Sequence, residues 1–477
     1  MNMRSLVLMG LVAATLPMLA QAPAGDTIRS SESGGYGPAA VAGDNLFDGY
    51  FRTGAGVASA GGEMVSFDLG RNGHYRLGNE ADTYGEIGWD KKVYDGKDGS
   101  AFFVHTMVNW YQPFSTGIAS SVAPGVAMEQ AWVEGKGVLG NSDAFKDSDV
   151  WAGERFYNRQ DVHMLDWKYL HTDGEGAGIE NINLGFGKLA YAYMQYDGAA
   201  TGAPAGAPTT ALVGKARDVT NLHQLKLDDI DVNPGGKLYF AFEVDTASPY
   251  KGTYPAIAAT PTTPAIPAGD AQSTDSNNKG GWSIIAMHTQ NLLGGSNHLV
   301  FQYAVGAAEG LGNGDQFGRS LGSLGSGNKA TRVIDEIAIQ PVKMFGLEAV
   351  AAIEKDKLDS GTALGTANGS WATLGVRGKL GVTDHFGVVA ELGWEKTTLD
   401  TTAYTRTLSA PLGDRTLNKE TLALVWAPTA DFWSRPEIRL FFTNASWNNT
   451  AQGTVGGTSF ADKTSGSQYG VQTEVWF

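Results

Sequence analysis

The chain reads as an all-β protein, an 18-stranded antiparallel transmembrane β-barrel. Three observations predict this. An apolar run of export type opens the sequence, no later segment is long and apolar enough for a membrane helix, and period-2 alternation recurs through the rest.

The opening segment reads as a secretory signal peptide over residues 1–22. Arg4 supplies the charged start, residues 6–20 form an apolar run broken only by Pro17, and Ala20-Gln21-Ala22 is a small-x-small cleavage signal. Pro23 directly after Ala22 leaves the cleavage position open. Residues 23–43 are rich in Gly, Ser and Ala and read as a flexible lead-in. The barrel is expected over residues 44–477. At about 25 residues per strand and turn, that length holds about 18 strands.

Composition removes several classes of function. Lys+Arg is 35 against Asp+Glu 50, a net charge of −15, so no nucleic-acid partner is expected. With no cysteine there is no disulfide, thiolate metal site or Cys nucleophile. The eight histidines show no metal-ligand spacing, so no metal and no cofactor is expected. The 64 glycines follow no Gly-X-Y period and fit turns and strands.

Strand alternation is explicit in several places. Leu238, Phe240, Phe242 and Val244 alternate with Tyr239, Ala241, Glu243 and Asp245. Phe386, Val388, Ala390, Leu392 and Trp394 alternate with Gly387, Val389, Glu391, Gly393 and Glu395. The segments 345–354 and 438–443 repeat the pattern. The second set carries charge and glycine, as expected of a wall with lipid outside and water inside. A soluble antiparallel sandwich shows the same alternation with one face in water. No period of about 40 residues supports a propeller. Asn233-Pro234-Gly235-Gly236 is a tight-turn signal, whereas 198–211 and 252–269 are too long for turns and read as surface loops. The chain closes on Tyr469, Val471, Thr473 and Val475 alternating with Gly470, Gln472, Glu474 and Trp476, and ends in Phe477.

Enzyme motifs are weak, and no catalytic residue is assigned. Gly318-Arg319-Ser320-Leu321-Gly322 matches G-x-S-x-G but lies in a Gly/Ser-rich stretch with no strand–turn–helix context. Gly135 to Gly140 matches G-x-G-x-x-G without a βαβ unit around it. A barrel enzyme would need a nucleophile and base brought together in space, which spacing does not reveal.

Several blocks resemble the maltoporin family of outer-membrane sugar porins. They are Asp48 to Gly54, Tyr75 to Glu80 with Thr83-Tyr84, and Trp151 to Arg159 followed by Asp161-Val162-His163-Met164-Leu165-Asp166. Gly178 to Ile182, Gly185 to Leu189, Asn233 to Gly236, Trp433-Ser434-Arg435-Pro436 and the last strand complete the set, in family order from about residue 45 to the end. The resemblance implies an outer-membrane barrel, usually trimeric, whose third loop folds inward to form a constriction and which passes oligosaccharides by facilitated diffusion. Its partners would be an oligosaccharide substrate, outer-membrane lipid and two further copies of the chain.

By the same resemblance, an aromatic slide maps onto Tyr50, Tyr84 and Trp476, and a polar track onto Arg52, Arg76, Glu86, Arg159, Asp161, His163 and Asp166. Arg155 reads as structural. Aromatic rings pack on the C–H faces of pyranoses, and charged groups bind the hydroxyl rim. Tyr50 shares a strand face with Arg52, and Tyr84 with Glu86, which fits a channel better than a lipid-facing girdle. The departures from the family are specific. Its constricting tyrosine falls on Lys168, slide aromatics fall on Ser296 and Val382, and a track arginine falls near Glu129 or Gln130. Its cysteine pair falls on Ser66 and Ala81. Trp110, Tyr111 and Phe114 are the choices for the slide's first aromatic, which by the resemblance a neighbouring subunit would supply. The expectation is altered or broader saccharide preference, with a general diffusion porin of the same fold as the alternative.

Overall fold

The computed structural model describes residues 45–70, 72–113, 125–200, 217–248, 251–254, 269–272, 280–306, 329–359, 366–399 and 413–477. The expected signal peptide and lead-in, Phe114, the Gly318–Gly322 motif and most of the 198–211 and 252–269 tracts lie outside these residues.

Eighteen antiparallel strands form one closed wall. In chain order they are β1 Asn45–Ala58, β2 Asp82–Asp95, β3 Ala101–Pro113, β4 Gly125–Lys136, β5 Asp149–Arg155 and β6 Gly174–Asn183. Then come β7 Lys188–Ala200, β8 Arg217–Asn233, β9 Gly236–Ser248, β10 Gly281–Leu292, β11 Gly295–Gly306 and β12 Lys329–Val342. The last six are β13 Phe345–Asp359, β14 Thr366–Gly381, β15 Phe386–Leu399, β16 Gly413–Trp426, β17 Glu437–Trp447 and β18 Ser465–Trp476. Each strand pairs with its neighbour in sequence, and β1 closes the barrel on β18 with Tyr50 opposite Trp476 and Arg52 opposite Glu474. Closure leaves no open edge, as a wall surrounded by hydrocarbon requires.

The alternation read from the sequence becomes the two faces of this wall. In β17, Glu437, Arg439, Phe441, Thr443 and Ala445 are buried inward, while Ile438, Leu440 and Phe442 stand exposed outside. In β15, Glu391 and Glu395 are buried inward, and Leu392 is 53% exposed outward. Charge inside and large apolar side chains outside invert the soluble pattern and fit an apolar solvent around the barrel.

One rim carries short turns. Asn233 and Gly236 bracket one of them, where Gly235 takes the left-handed φ of 75° that its position demands. The opposite rim carries the longer connections. At the two ends of the 252–269 tract, Lys251–Tyr254 and Gly269–Gln272 pair as a small antiparallel ladder. The glycines at 135–140 end β4 and turn toward β5.

Two long-rim connections fold back into the lumen. The β5–β6 connection, residues 156–173, carries a hairpin of Gln160–Val162 and Trp167–Leu170 around a 3-10 turn at His163–Leu165. Its Val162, Met164, Leu165, Trp167, Tyr169 and Leu170 are buried against inner-wall residues such as Ile334, Val350 and Trp371. Trp167 meets Trp371 edge-on at 5.1 Å. This apolar seam holds an otherwise polar loop inside a barrel. The β1–β2 connection docks through Tyr75, whose hydroxyl hydrogen-bonds Thr373 at 2.6 Å. Its ring lies on Gly375 and Gly393, directly opposite each other in β14 and β15, where a Cβ would stand 2.2 Å from the ring.

Candidate functional site: an aromatic row beside a charge network

The inner face where β1, β2 and β18 meet gathers most of the residues assigned from the sequence. Tyr50 and Tyr84 lie 6.1 Å apart, centroid to centroid. Trp476 sits opposite Tyr50 in the register. Trp433, on the β16–β17 connection, continues the row 6.3 Å from Trp476. Tyr111 stands opposite Tyr84 in β3, whereas Trp110 pairs with outward-facing Gly85 and so faces out. The row therefore descends from Tyr111 and Tyr84 near the long-loop rim to Trp476 and Trp433 near the turn rim.

Tyr84, Tyr50, Trp476 and Trp433 differ in access. Tyr84, Trp433 and Trp476 are partly exposed to the lumen, but Tyr50 is only 5% exposed. Its hydroxyl accepts a hydrogen bond from Arg76 Nη2 at 2.5 Å and donates to Glu474 Oε1 at 3.3 Å. Tyr84 donates to Glu86, its neighbour two residues on. The charged groups beside the rings thus orient them.

Those charges form one connected network. Arg52 pairs with Glu80 at 2.9 Å, Asp82 at 3.0 Å and Asp166 at 2.6 Å. Arg76 pairs with Glu80 at 2.9 Å and Glu474 at 3.1 Å. Glu474 also takes Arg435 at 2.9 Å and Arg439 at 2.6 Å, and Glu437 takes Arg439 at 2.5 Å and Lys379 at 2.8 Å. Five cations (Arg52, Arg76, Lys379, Arg435, Arg439) therefore face five carboxylates (Glu80, Asp82, Asp166, Glu437, Glu474), and the network is neutral. Burial alone would raise the Asp166 carboxyl, but Arg76 and Arg52 hold it well below the usual carboxylate range.

The remaining assigned residues lie around this network. His163 is 7% exposed, neither ring nitrogen makes a hydrogen bond, and it packs against Trp433 at 5.2 Å and Trp476 at 5.6 Å. Burial pushes its imidazole well below the usual range, so it stays neutral near pH 7. It supports the row from behind. Arg159 is bound to Asp173 at 2.5 Å and stacks on Phe156. Arg155 lies between Trp132 and Trp151 and pairs with Glu180 at 2.5 Å.

Asp161 and Lys168 face each other across the lumenal hairpin. Lys168 is half-exposed and makes no hydrogen bond or ion pair among the described residues. Burial raises the Asp161 carboxyl, with Lys168 acting against the rise.

Of the replaced family aromatics, Ser296 is buried on the inner wall beside His298, and Val382 is exposed at the turn rim. Ligand atoms of His74, Glu80 and Asp166 lie within 4.8 Å of one another. Both carboxylates there are already paired with arginines, so the charge a cation would supply is present. Sequence reasoning missed Glu80, Asp82, Lys379, Trp433, Arg435, Glu437, Arg439 and Glu474 as site members. All but Lys379 lie inside or beside the blocks named above, and Glu474 stands two residues from Trp476 on the same face.

A closed 18-stranded wall, apolar outside and charged inside, with two loops folded into its lumen, defines an outer-membrane channel. The LamB porin family model matches residues 46–477, and the chain belongs to that family. Among solved structures it is similar to OccD3 (OpdP) of Pseudomonas aeruginosa, at 8% identity over 93% of this chain and 94% of that one, TM-score 0.44. It is also similar to OprD of the same organism, at 9% identity over 95% and 96%, TM-score 0.44. OmpT of Vibrio cholerae matches at 8% identity over 92% and 99%, TM-score 0.39.

Proposed function

We propose that the protein conducts saccharides by facilitated diffusion across the outer membrane, along the row of Tyr84, Tyr50, Trp476 and Trp433 with the charge network as its polar flank. The row itself carries this reading: partly exposed rings in series, with arginines and carboxylates beside them. A sugar packs its C–H face on the rings and exchanges hydrogen bonds along its rim. Conduction requires many weak sites in preference to one tight site. In this reading Arg52, Arg76, Glu86, Arg159, Asp161 and Asp166 form the polar track, His163 positions Trp476, and Lys168 makes the constriction favour anions. Export by the N-terminal signal peptide and assembly as a homotrimer belong to the same proposal, on the family resemblance.

Specificity follows from what is missing. Lys168, Ser296 and Val382 stand where the family places aromatics, and Tyr50 is largely covered, so long maltodextrins gain less from this channel. We expect broader saccharide preference and weaker maltodextrin affinity. The same three positions favour the rival reading, a general diffusion porin without sugar selectivity.

Planar-bilayer conductance of the purified protein, titrated with maltohexaose, sucrose and glucose, decides between them. Saturable block by one sugar supports the saccharide channel and names its class. Conductance with no block by any sugar leaves a general porin. Block by maltohexaose as tight as in a typical maltoporin contradicts the altered preference.

A further inference from the structure

The outward face of β11 to β15 carries a basic cluster at the long-loop rim that passage through the lumen does not use. One row of the register runs Tyr303, Thr331, Lys355, Ser370 and Thr398 across five strands. One step nearer the long loops, Lys329 stands directly opposite Lys357. These positions alternate with buried inward residues such as Arg332, Glu354 and Asp356, so they face away from the lumen. One step nearer the turn rim, the outward row is Phe301, Val333, Ile353 and Ala372, ending on β15 at Lys396, which is paired with Asp414. The lysines thus stand where the apolar belt ends.

Three further observations point to a ligand. Lys329, Lys355 and Lys357, with Tyr303, Thr331 and Thr398, line a cleft of ≈ 460 Å³. All three lysines are exposed, and none makes a hydrogen bond or ion pair among the described residues. Some other outward or rim lysines do: Lys343 pairs with Asp384 at 2.7 Å, Lys396 with Asp414 at 2.5 Å, and Lys237 with Asp229; Lys91 and Lys97 at the turn rim are single residues without such a partner among the described residues. Like charges directly opposite in a sheet are unfavourable, so the Lys329–Lys357 pair gains from an anion bound outside the wall. The third observation is depth. Tyr303 contacts Trp282 at 5.6 Å, and outward aromatics of this kind mark the level of lipid headgroups.

We propose that this cleft binds the phosphates of a multiply phosphorylated lipid headgroup in the leaflet on the long-loop side. Lysine is a point-charge phosphate ligand, and three of them match more than one phosphate. The Thr331 hydroxyl is placed to donate to the same oxygens, whereas that of Thr398 is already given to Asp414 at 2.7 Å, and the apolar row below receives the acyl chains. The inference rests on the barrel's place in the outer membrane and not on what passes through it.

The test is lipid retention by the purified full-length protein in mixed micelles, read by native mass spectrometry. The probes are bisphosphorylated lipid A, its dephosphorylated counterpart and inorganic phosphate. Wild type is expected to retain lipid A, less so as salt rises. The triple variant Lys329→Gln, Lys355→Gln, Lys357→Gln is expected to retain it about 100-fold more weakly, since each basic group near an anionic lipid surface contributes about fivefold. Lys237→Gln, on the opposite rim, serves as the control and should match wild type. Unchanged retention by the triple variant, or equal retention of the dephosphorylated lipid, overturns the proposal. Displacement of lipid A by millimolar inorganic phosphate makes this a free-phosphate site and overturns the lipid assignment. Sugar block is expected to be the same in wild type and the triple variant, which separates this test from that of the saccharide channel.

Discussion

Glu474→Gln tests whether the charge network organises the aromatic row. Glu474 is 1% exposed and holds Arg439 at 2.6 Å, Arg435 at 2.9 Å and Arg76 at 3.1 Å, while accepting from the Tyr50 hydroxyl. The amide keeps the shape and removes one negative charge, leaving five cations against four carboxylates. Orphaning a buried ion costs about 3–5 kcal/mol. Here no arginine is fully orphaned: Arg439 and Arg435 keep Glu437 at 2.5 and 3.4 Å, and Arg76 keeps Glu80 at 2.9 Å. The expected loss is therefore about 2–3 kcal/mol, the scale of a few weakened charge-assisted bonds. The second effect is local. Arg435 lies over the Trp476 ring at 4.0 Å, and losing its anchor loosens that stack. Sugar half-block should then need about threefold to tenfold more sugar, the worth of one partly desolvated cation–π contact. Denaturant unfolding in micelles reads the first effect, and bilayer block with reversal potential reads the second, with selectivity moving toward anions. If unfolding, block and selectivity all match wild type, the network does not organise the row and the reasoning fails.

Other expectations follow from single positions. Lys168→Tyr should lower anion preference and tighten block by linear glucans; an unchanged reversal potential would show that Lys168 does not set the field at the constriction. Gly375→Val drives a side chain into Tyr75 and should destabilise the barrel by about 1–3 kcal/mol with altered open conductance. Gly378→Ala, on the outward face with its nearest neighbour 3.8 Å away, should match wild type in both. Asp166 makes a pH prediction. Its carboxyl titrates below the ordinary 3.8, so its stabilisation is complete above that value and is lost as pH falls through the depressed one. Asp166→Asn should therefore unfold more easily than wild type at pH 7, with the gap closing on acidification below about 4; a gap that stays constant down to pH 2 would refute the pairing.

How much of this was legible in the sequence depends on the range of the contact. Alternation is local, so Leu238 to Asp245 and Phe386 to Glu395 mark the two faces of the wall without reference to any partner. The Tyr50–Arg52 and Tyr84–Glu86 faces follow from the same two-residue period. The opposition of Tyr50 to Trp476 depends on barrel closure over more than 400 positions, which alternation alone does not supply. The cross-lumen contacts were not legible. A glycine in a strand reads as a bend or a weak point, and only docking of the β1–β2 connection shows Gly375 and Gly393 to be a floor for Tyr75. The resemblance places His163 in the polar track, and only the fold shows that the 3-10 turn at His163–Leu165 sets its ring against Trp433 and Trp476.

The lumen therefore has two kinds of wall with separate tasks. The side formed by β9 to β14 carries, among buried charges such as Arg332, Glu348 and Glu354, an apolar patch that seats the inward loop, with Trp371 and Ile334 part of it. That seam fixes the loop's backbone and lets its other edge present charge. Asp166 can then reach Arg52 at 2.6 Å although the two are 114 residues apart. The β1, β2 and β18 side holds the rings and the neutral network. A neutral network has little net attraction for ions, so in the proposed channel the charge of Lys168 would give the constriction its sign. Displacing Tyr75, which docks the β1–β2 connection on this wall, and changing Lys168 are consequently independent perturbations: the first alters pore width and the second alters ion preference. Combining Lys168→Tyr with Gly375→Val should give additive changes in reversal potential and conductance, and strong coupling between them would mean that the loop's position, and not the charge at residue 168, governs selectivity.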